Sequence, residues 1–139
     1  MERVVVTGIG LVTPVGVGTD ATWQSLIQGK SGAGLITQFE ANDEYPTRIA
    51  AEVKDFDPSV YMEKKKLKEV SRFIPFSLAA TQMAIEHAQL ELTDAVRETT
   101  GCYIGVGLGG LENIEKVSLT LHEKGPKRVS PYFIPSVIA

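Results

Sequence analysis

The sequence predicts an α/β fold, a mostly parallel sheet with helices on both faces. Three observations carry that prediction. Short valine-rich runs alternate with stretches of helical periodicity, at lengths that suit right-handed strand–helix–strand crossovers over a parallel sheet. Glycines gather where the strand-like runs end, as expected where a chain leaves a strand through a turn that a side chain would obstruct. No repeat, low-complexity tract or linker divides the 139 residues, so residues 1–139 read as one domain or a piece of one.

Each element has its own local cause. The run RVVVT at residues 3–7, followed by Gly8 and Gly10, predicts the first core strand. Thr19 or Asp20 is placed to cap a helix whose Trp23, Leu26 and Ile27 share an apolar face and which Gly29 ends. From residue 30 to 46, Gly32, Gly34 and a polar run predict an irregular connection, and residues 48–53 return to strand composition. Asp57-Pro58 opens a short helix, because proline is favoured in a first turn; Lys64, Lys65, Lys66 and Lys68 follow.

The longest helix is expected over residues 71–90, burying Phe73, Leu78, Met83, Ile85 and Ala88, with Pro75 in its first turn or at a kink. A shorter helix near residues 93–98 precedes a strand at 102–106, which is surrounded by Gly101, Gly105, Gly107, Gly109 and Gly110. A further helix runs from residue 111 to about 122. The final PYFIPSVIA leaves Ser136 capping a helix with three residues to run, an ending expected of a chain that has been cut short.

Composition narrows the function classes. With 43% hydrophobic and 22% charged residues the chain has an ordinary globular make-up, and its net charge of −3 argues against a general nucleic-acid or anionic-membrane binder. A lone cysteine, Cys102, excludes an internal disulfide framework and a multi-cysteine zinc site and fits a reducing compartment. The start, MERVVVTG, is too short for the apolar core of a signal peptide, and no run reaches the ~18 apolar residues of a membrane span. A cytoplasmic location is expected, with no metal and no cofactor.

The segment TGIGLVTPVGVG invites comparison with dinucleotide-binding loops. Its Gly8, Gly10, Gly16 and Gly18 fit neither G-x-G-x-x-G nor the P-loop, so structural turns explain them better. Cys102 opens an apolar strand and reads as buried and inert. His87 and His122 lie on helices with no acidic partner fixed by spacing, and Asp55/Asp57 and Glu112/Glu115 read as solvated charges. Nothing assembles a nucleophile, a base and an oxyanion donor. The cluster at Lys64, Lys65, Lys66 and Lys68, and the pair Lys127 and Arg128, read either as solvated faces or as two docking patches for an acidic partner.

Together RVVVTGIGLVTPVG, the IGVGLGGL segment from Ile104 to Leu111 and GPKRVSPYFIPS from Gly125 to Ser136 resemble the N-terminal region of bacterial β-ketoacyl-acyl carrier protein synthases, above all the elongating synthase II branch. The resemblance runs in order over essentially the whole chain. It implies the first half of a thiolase-like fold in a homodimer, working without a cofactor on acyl and malonyl forms of acyl carrier protein. The family's cysteine nucleophile and two histidines are expected beyond Ala139, so no catalytic residue is expected in this chain. By position the resemblance makes Leu108 an acyl-pocket residue, and Phe133 and Ile134 residues that reach the partner subunit's pocket. It makes Lys65 and Lys68 one carrier-protein contact patch and Lys127 with Arg128 another; Glu69 stands where a further basic residue would strengthen the first. A non-catalytic relative, such as a chain-length factor, and a stand-alone module that binds a carrier protein or a nucleotide are the competing expectations.

Overall fold

A computed structural model describes residues 3–138. They divide into two units: one runs up to Asp57 and includes Ala80–Leu90, the other comprises Pro58–Ala79 and the residues from Glu91 onward.

In the first unit, β1 (Val12–Thr13) and β2 (Gly16–Val17) pair antiparallel, Val12 opposite Val17. The Thr13 hydroxyl donates to the Gly16 carbonyl at 2.9 Å, and the Thr22 hydroxyl donates to the same oxygen at 3.1 Å. Those bonds tie the hairpin to α1 (Thr19–Ile27) and give buried Thr22 the partner that a buried hydroxyl requires. Gly18, not Thr19 or Asp20, occupies the helix N-cap; Thr19 instead donates its hydroxyl to the Ile9 carbonyl at 3.0 Å. The far end follows the sequence prediction. Gly29, at φ +64°, donates to Leu26 O, and Lys30 N–H reaches Ser25 O, both at 3.0 Å. This is the paired ending that a residue free to enter left-handed space makes.

The buried face of α1 differs from expectation. Thr22 and Ser25 are enclosed, whereas Trp23, Leu26 and Ile27 are exposed, because the hairpin meets the hydroxyl side of the helix. Next come β3 (Ala33–Leu35) and β4 (Ile49–Ala51), paired antiparallel with Gly34 opposite Ala50. β4 lies where strand composition returns; β3 lies inside the stretch expected to be irregular, where its glycines hide the strand signal. Beyond the pair, Glu52 accepts from the Thr37 N–H at 3.0 Å and from its hydroxyl at 2.7 Å. Those two bonds, the backbone one first, hold the Glu52 carboxyl below its ordinary pKa.

The second unit holds a 3-10 turn at Pro58–Val60, α2 (Lys64–Leu67), the first half of α3 (Phe73–His87), α4 (Asp94–Thr99), α5 (Leu111–Lys124), a second 3-10 turn at Pro126–Arg128, and α6 (Phe133–Val137). α3 carries Pro75 in its first turn, where the missing N–H has no intrahelical partner to lose. Thr93 caps α4 by accepting from Val96 N–H at 3.3 Å. Ser136 is not a cap. It lies inside α6, 3% exposed.

The mostly parallel sheet does not form: the described residues hold two antiparallel sheets of two strands each. Residues 3–7 and 102–106 keep the composition of core strands but pair with nothing described. A strand needs a neighbour to satisfy its N–H and C=O groups. Their side chains are correspondingly open, Val4 at 93% and Tyr103 at 95% exposure, and Cys102 is exposed rather than buried. Among the described apolar side chains only Ala79 and Pro75 are buried. The chain presents 11076 Å² to solvent, about half as much again as the roughly 7,100 Å² of a folded monomer of its mass. Two separate folded units of half that mass would present only about 8,500 Å², so the excess reflects uncovered faces within each unit.

Candidate functional site

The site builds on the second unit, around the first turn of α5. The Gly107–Gly110 stretch brings the chain out of residues 102–106 and into α5, and a side chain on Gly110 would overlap Ser71 Oγ and lie 2.9 Å from the Ser136 carbonyl. The bare backbone at Gly110 is therefore what lets the start of α5 meet Ser71 and α6. Ser71 is 1% exposed, and its N–H donates to the Ser136 carbonyl at 3.3 Å. Asn113, in the first turn of α5, donates through Nδ2 to Ser71 Oγ at 2.8 Å and to Ser136 Oγ at 3.2 Å. Ser136 Oγ in turn donates a hydrogen bond to the Phe133 carbonyl at 2.7 Å. Beside it, Glu112 accepts the Arg72 N–H at 3.0 Å, a role for a carboxylate expected to be merely solvated.

The residues singled out in the sequence for pocket and docking roles fall in the same unit. Leu108 precedes the elbow at Gly109–Gly110 and is 78% exposed. Phe133 is half-buried and Ile134 exposed, both on α6. Phe133, Ser130, Tyr132, Lys116 and Lys68 line one cleft of about 90 Å³. Lys65 lies on α2 and Lys68 caps its end, while Lys127 and Arg128 form the turn after α5; all four are exposed. The structure thus brings Lys68 to the same cleft as Phe133. Leu108 is linked to α6 through Gly109, whose Cβ would crowd the Val137 carbonyl.

Asn113, Ser71 and Ser136 as a unit escaped the sequence reading. The partners are 42 and 23 residues away from Asn113, and no local pattern reports such a pairing; the only hint was an asparagine inside a helix, which prefers caps and turns.

None of these groups forms a reaction centre. The His87 Nδ1 is engaged by the Ile9 N–H at 3.1 Å, His122 lies exposed near the end of α5, and Cys102 lies open on unpaired backbone. Among the described residues no cluster of three or more His, Cys, Asp or Glu is placed to hold a metal ion, and no helix is long and apolar enough to cross a membrane. What the second unit offers is exposed Leu108 and Ile134 and a cleft that Phe133 shares with Lys68.

Comparison with known proteins places the chain in a family. The family model for the beta-ketoacyl synthase N-terminal domain matches residues 1–139. The chain is 42% identical over 138 residues to 3-oxoacyl-acyl-carrier-protein synthase 2 of Synechocystis sp., covering 99% of this chain and 33% of that protein. It is 43% identical over 137 residues to the protein of the same name from Vibrio harveyi, again covering 99% of this chain and 33% of the relative. The chain thus spans about a third of the length of the curated relatives it matches. Among solved structures, the ishigamide ketosynthase/chain length factor superposes with a TM-score of 0.76 at 26% identity, over 97% of this chain and 34% of that one. The α/β arrangement is that of a ketosynthase with the thiolase-like fold. With the whole of residues 1–139 matched to the family's N-terminal domain, the chain belongs to the beta-ketoacyl synthase family.

Proposed function

We propose that this chain is the incomplete N-terminal ketoacyl synthase domain of a synthase II type enzyme. That cytoplasmic homodimer elongates acyl chains by decarboxylative condensation with malonyl-acyl carrier protein. The observation that carries the reading is the match of 99% of the chain to synthase 2 relatives at 42% and 43% identity. The nucleophilic cysteine and two histidines lie beyond Ala139 in this reading. The chain contributes walls and docking surface, and residues 3–7 and 102–106 become strands of a mostly parallel sheet once further chain lies beside them.

Leu108 lines the acyl pocket, and Phe133 and Ile134 reach into the partner subunit's pocket. Apolar residues suit that task, because each buried methylene contributes about 0.8 kcal/mol. Lys65 and Lys68 on one patch and Lys127 with Arg128 on another receive the acidic carrier protein, steering encounter more than adding affinity. The likeness to a ketosynthase/chain length factor supports a second reading, a non-catalytic partner subunit; a cysteine nucleophile in the continuation of the gene decides between them.

The test is condensation by the full-length protein with acyl- and malonyl-carrier protein. Charge reversal in Lys127→Glu with Arg128→Glu should raise the KM for carrier-bound substrate roughly 10-fold at low salt, less at high salt, and leave kcat within about two-fold. An unchanged KM would remove this patch from the docking surface, and absence of condensation by the wild-type full-length protein would overturn the enzyme reading.

A further inference from the structure

We infer that Asn113 is a positioning residue that sets which acyl chains the pocket accepts. The inference rests on the reading of Leu108, Phe133 and Ile134 as pocket residues and deepens it. Leu108 immediately precedes the Gly109–Gly110 elbow, and Phe133 and Ile134 stand on α6. The spacing between these two walls is fixed by what fastens α6 to the elbow.

That fastening is a small polar knot of three side chains. One amide nitrogen, Asn113 Nδ2, spends its two hydrogens on two serine oxygens, Ser71 Oγ at 2.8 Å and Ser136 Oγ at 3.2 Å. The serines are 1% and 3% exposed, so water does not replace those bonds. Ser136 Oγ continues the line to the Phe133 carbonyl at 2.7 Å, so the amide is two hydrogen bonds from the backbone of a pocket residue. Ser71 N–H closes the ring on the Ser136 carbonyl at 3.3 Å. Gly110 leaves room for both serines, since a Cβ there would overlap Ser71 Oγ and come 2.8 Å from Ser71 Cβ.

A hydrogen-bond ring of this kind has one geometry, whereas apolar packing of the same volume tolerates several. Losing the amide hydrogens releases α6 to slide against the elbow and changes the depth of the tunnel by a methylene or more. Each methylene that gains or loses its place alters relative kcat/KM by about four-fold.

The experiment is the acyl-length profile of the full-length protein and three variants: Asn113→Leu, Asn113→Leu with Ser71→Ala, and Leu108→Ala as a pocket reference. Asn113→Leu should change the kcat/KM ratio between the longest and shortest accepted acyl chains by about 15-fold, two methylenes' worth, with the KM for malonyl-carrier protein within two-fold. The double variant should show the same altered profile at a higher melting temperature than Asn113→Leu, because it removes Ser71 Oγ, which the single change leaves buried without its donor. It therefore carries the test if the single variant folds poorly. A lowered melting temperature with an unchanged profile would make Asn113 merely structural and overturn the inference. If Leu108→Ala shifts the profile and neither Asn113 variant does, the pocket reading stands and the inference fails. If Leu108→Ala also leaves the profile unchanged, the pocket reading itself has failed.

Discussion

Assayed alone, the 139-residue chain should give no condensation product above the uncatalysed background, although the full-length protein turns over. Carbon–carbon bond formation between two thioesters needs a thiolate to hold the acyl group, a group to assist loss of carbon dioxide and donors for the developing oxyanion. The described residues supply none of these in one place: Cys102 is exposed on unpaired backbone and the His87 ring is bonded to Ile9. Since enzymes of ordinary efficiency gain about a million-fold or more over solution, the contrast between chain and full-length protein spans the whole measurable range. Mass spectrometry of carrier-bound product would read it. Product formed by the isolated chain, and abolished by Cys102→Ser, would place the chemistry where the account denies it.

The second large effect concerns Gly10. Replacing it with valine should destabilise the full-length protein by about 3 kcal/mol or abolish its folding. A Cβ at this position would overlap the Ala80 carbonyl and lie 2.7 Å from the Ala84 nitrogen, so the whole backbone of α3 would have to retreat. Gly8 makes the same approach one turn further along, against the Ala84 carbonyl and Ala88. The pattern is a glycine-faced segment lying on an alanine-faced helix, which lets two backbones meet without side chains between them. Urea or thermal unfolding of the variant checks it; an unchanged midpoint would mean that the contact between residues 8–10 and α3 is not part of the folded protein.

That contact also marks where local reasoning stops short. The glycines of TGIGLVTPVGVG read as structural turns because their spacing suited no nucleotide loop, whereas Gly8 and Gly10 serve close packing against α3. The end of α1 was legible from composition alone. Gly29 acts within a few residues of the helix it bounds, so its signal is local.

Long-range features were legible only in part. Residues 3–7 and 102–106 have the composition of buried strands, and the sequence reading placed them in a parallel sheet. Composition reports what a segment is suited to, whereas pairing depends on a neighbour, and none of the described residues provides one. The same reason explains Cys102, read as buried and found exposed, and the apolar face of Trp23, Leu26 and Ile27, read as core and found open. The site divides likewise. Leu108, Phe133, Ile134 and the basic pairs were named through resemblance, but the knot of Asn113, Ser71 and Ser136 joins segments too distant in sequence for any pattern to reveal.

The central claim is that this chain carries faces made to be covered by the remainder of a longer condensing enzyme, and amide hydrogen exchange tests it most directly. In the isolated chain, Val4, Val5, Val6, Tyr103 and Ile104 should exchange at nearly the rate of unstructured peptide. In the full-length protein the same amides should slow by about a thousand-fold or more, the protection of core strands. Slow exchange at these positions in the isolated chain, or fast exchange in the full-length protein, would contradict the account.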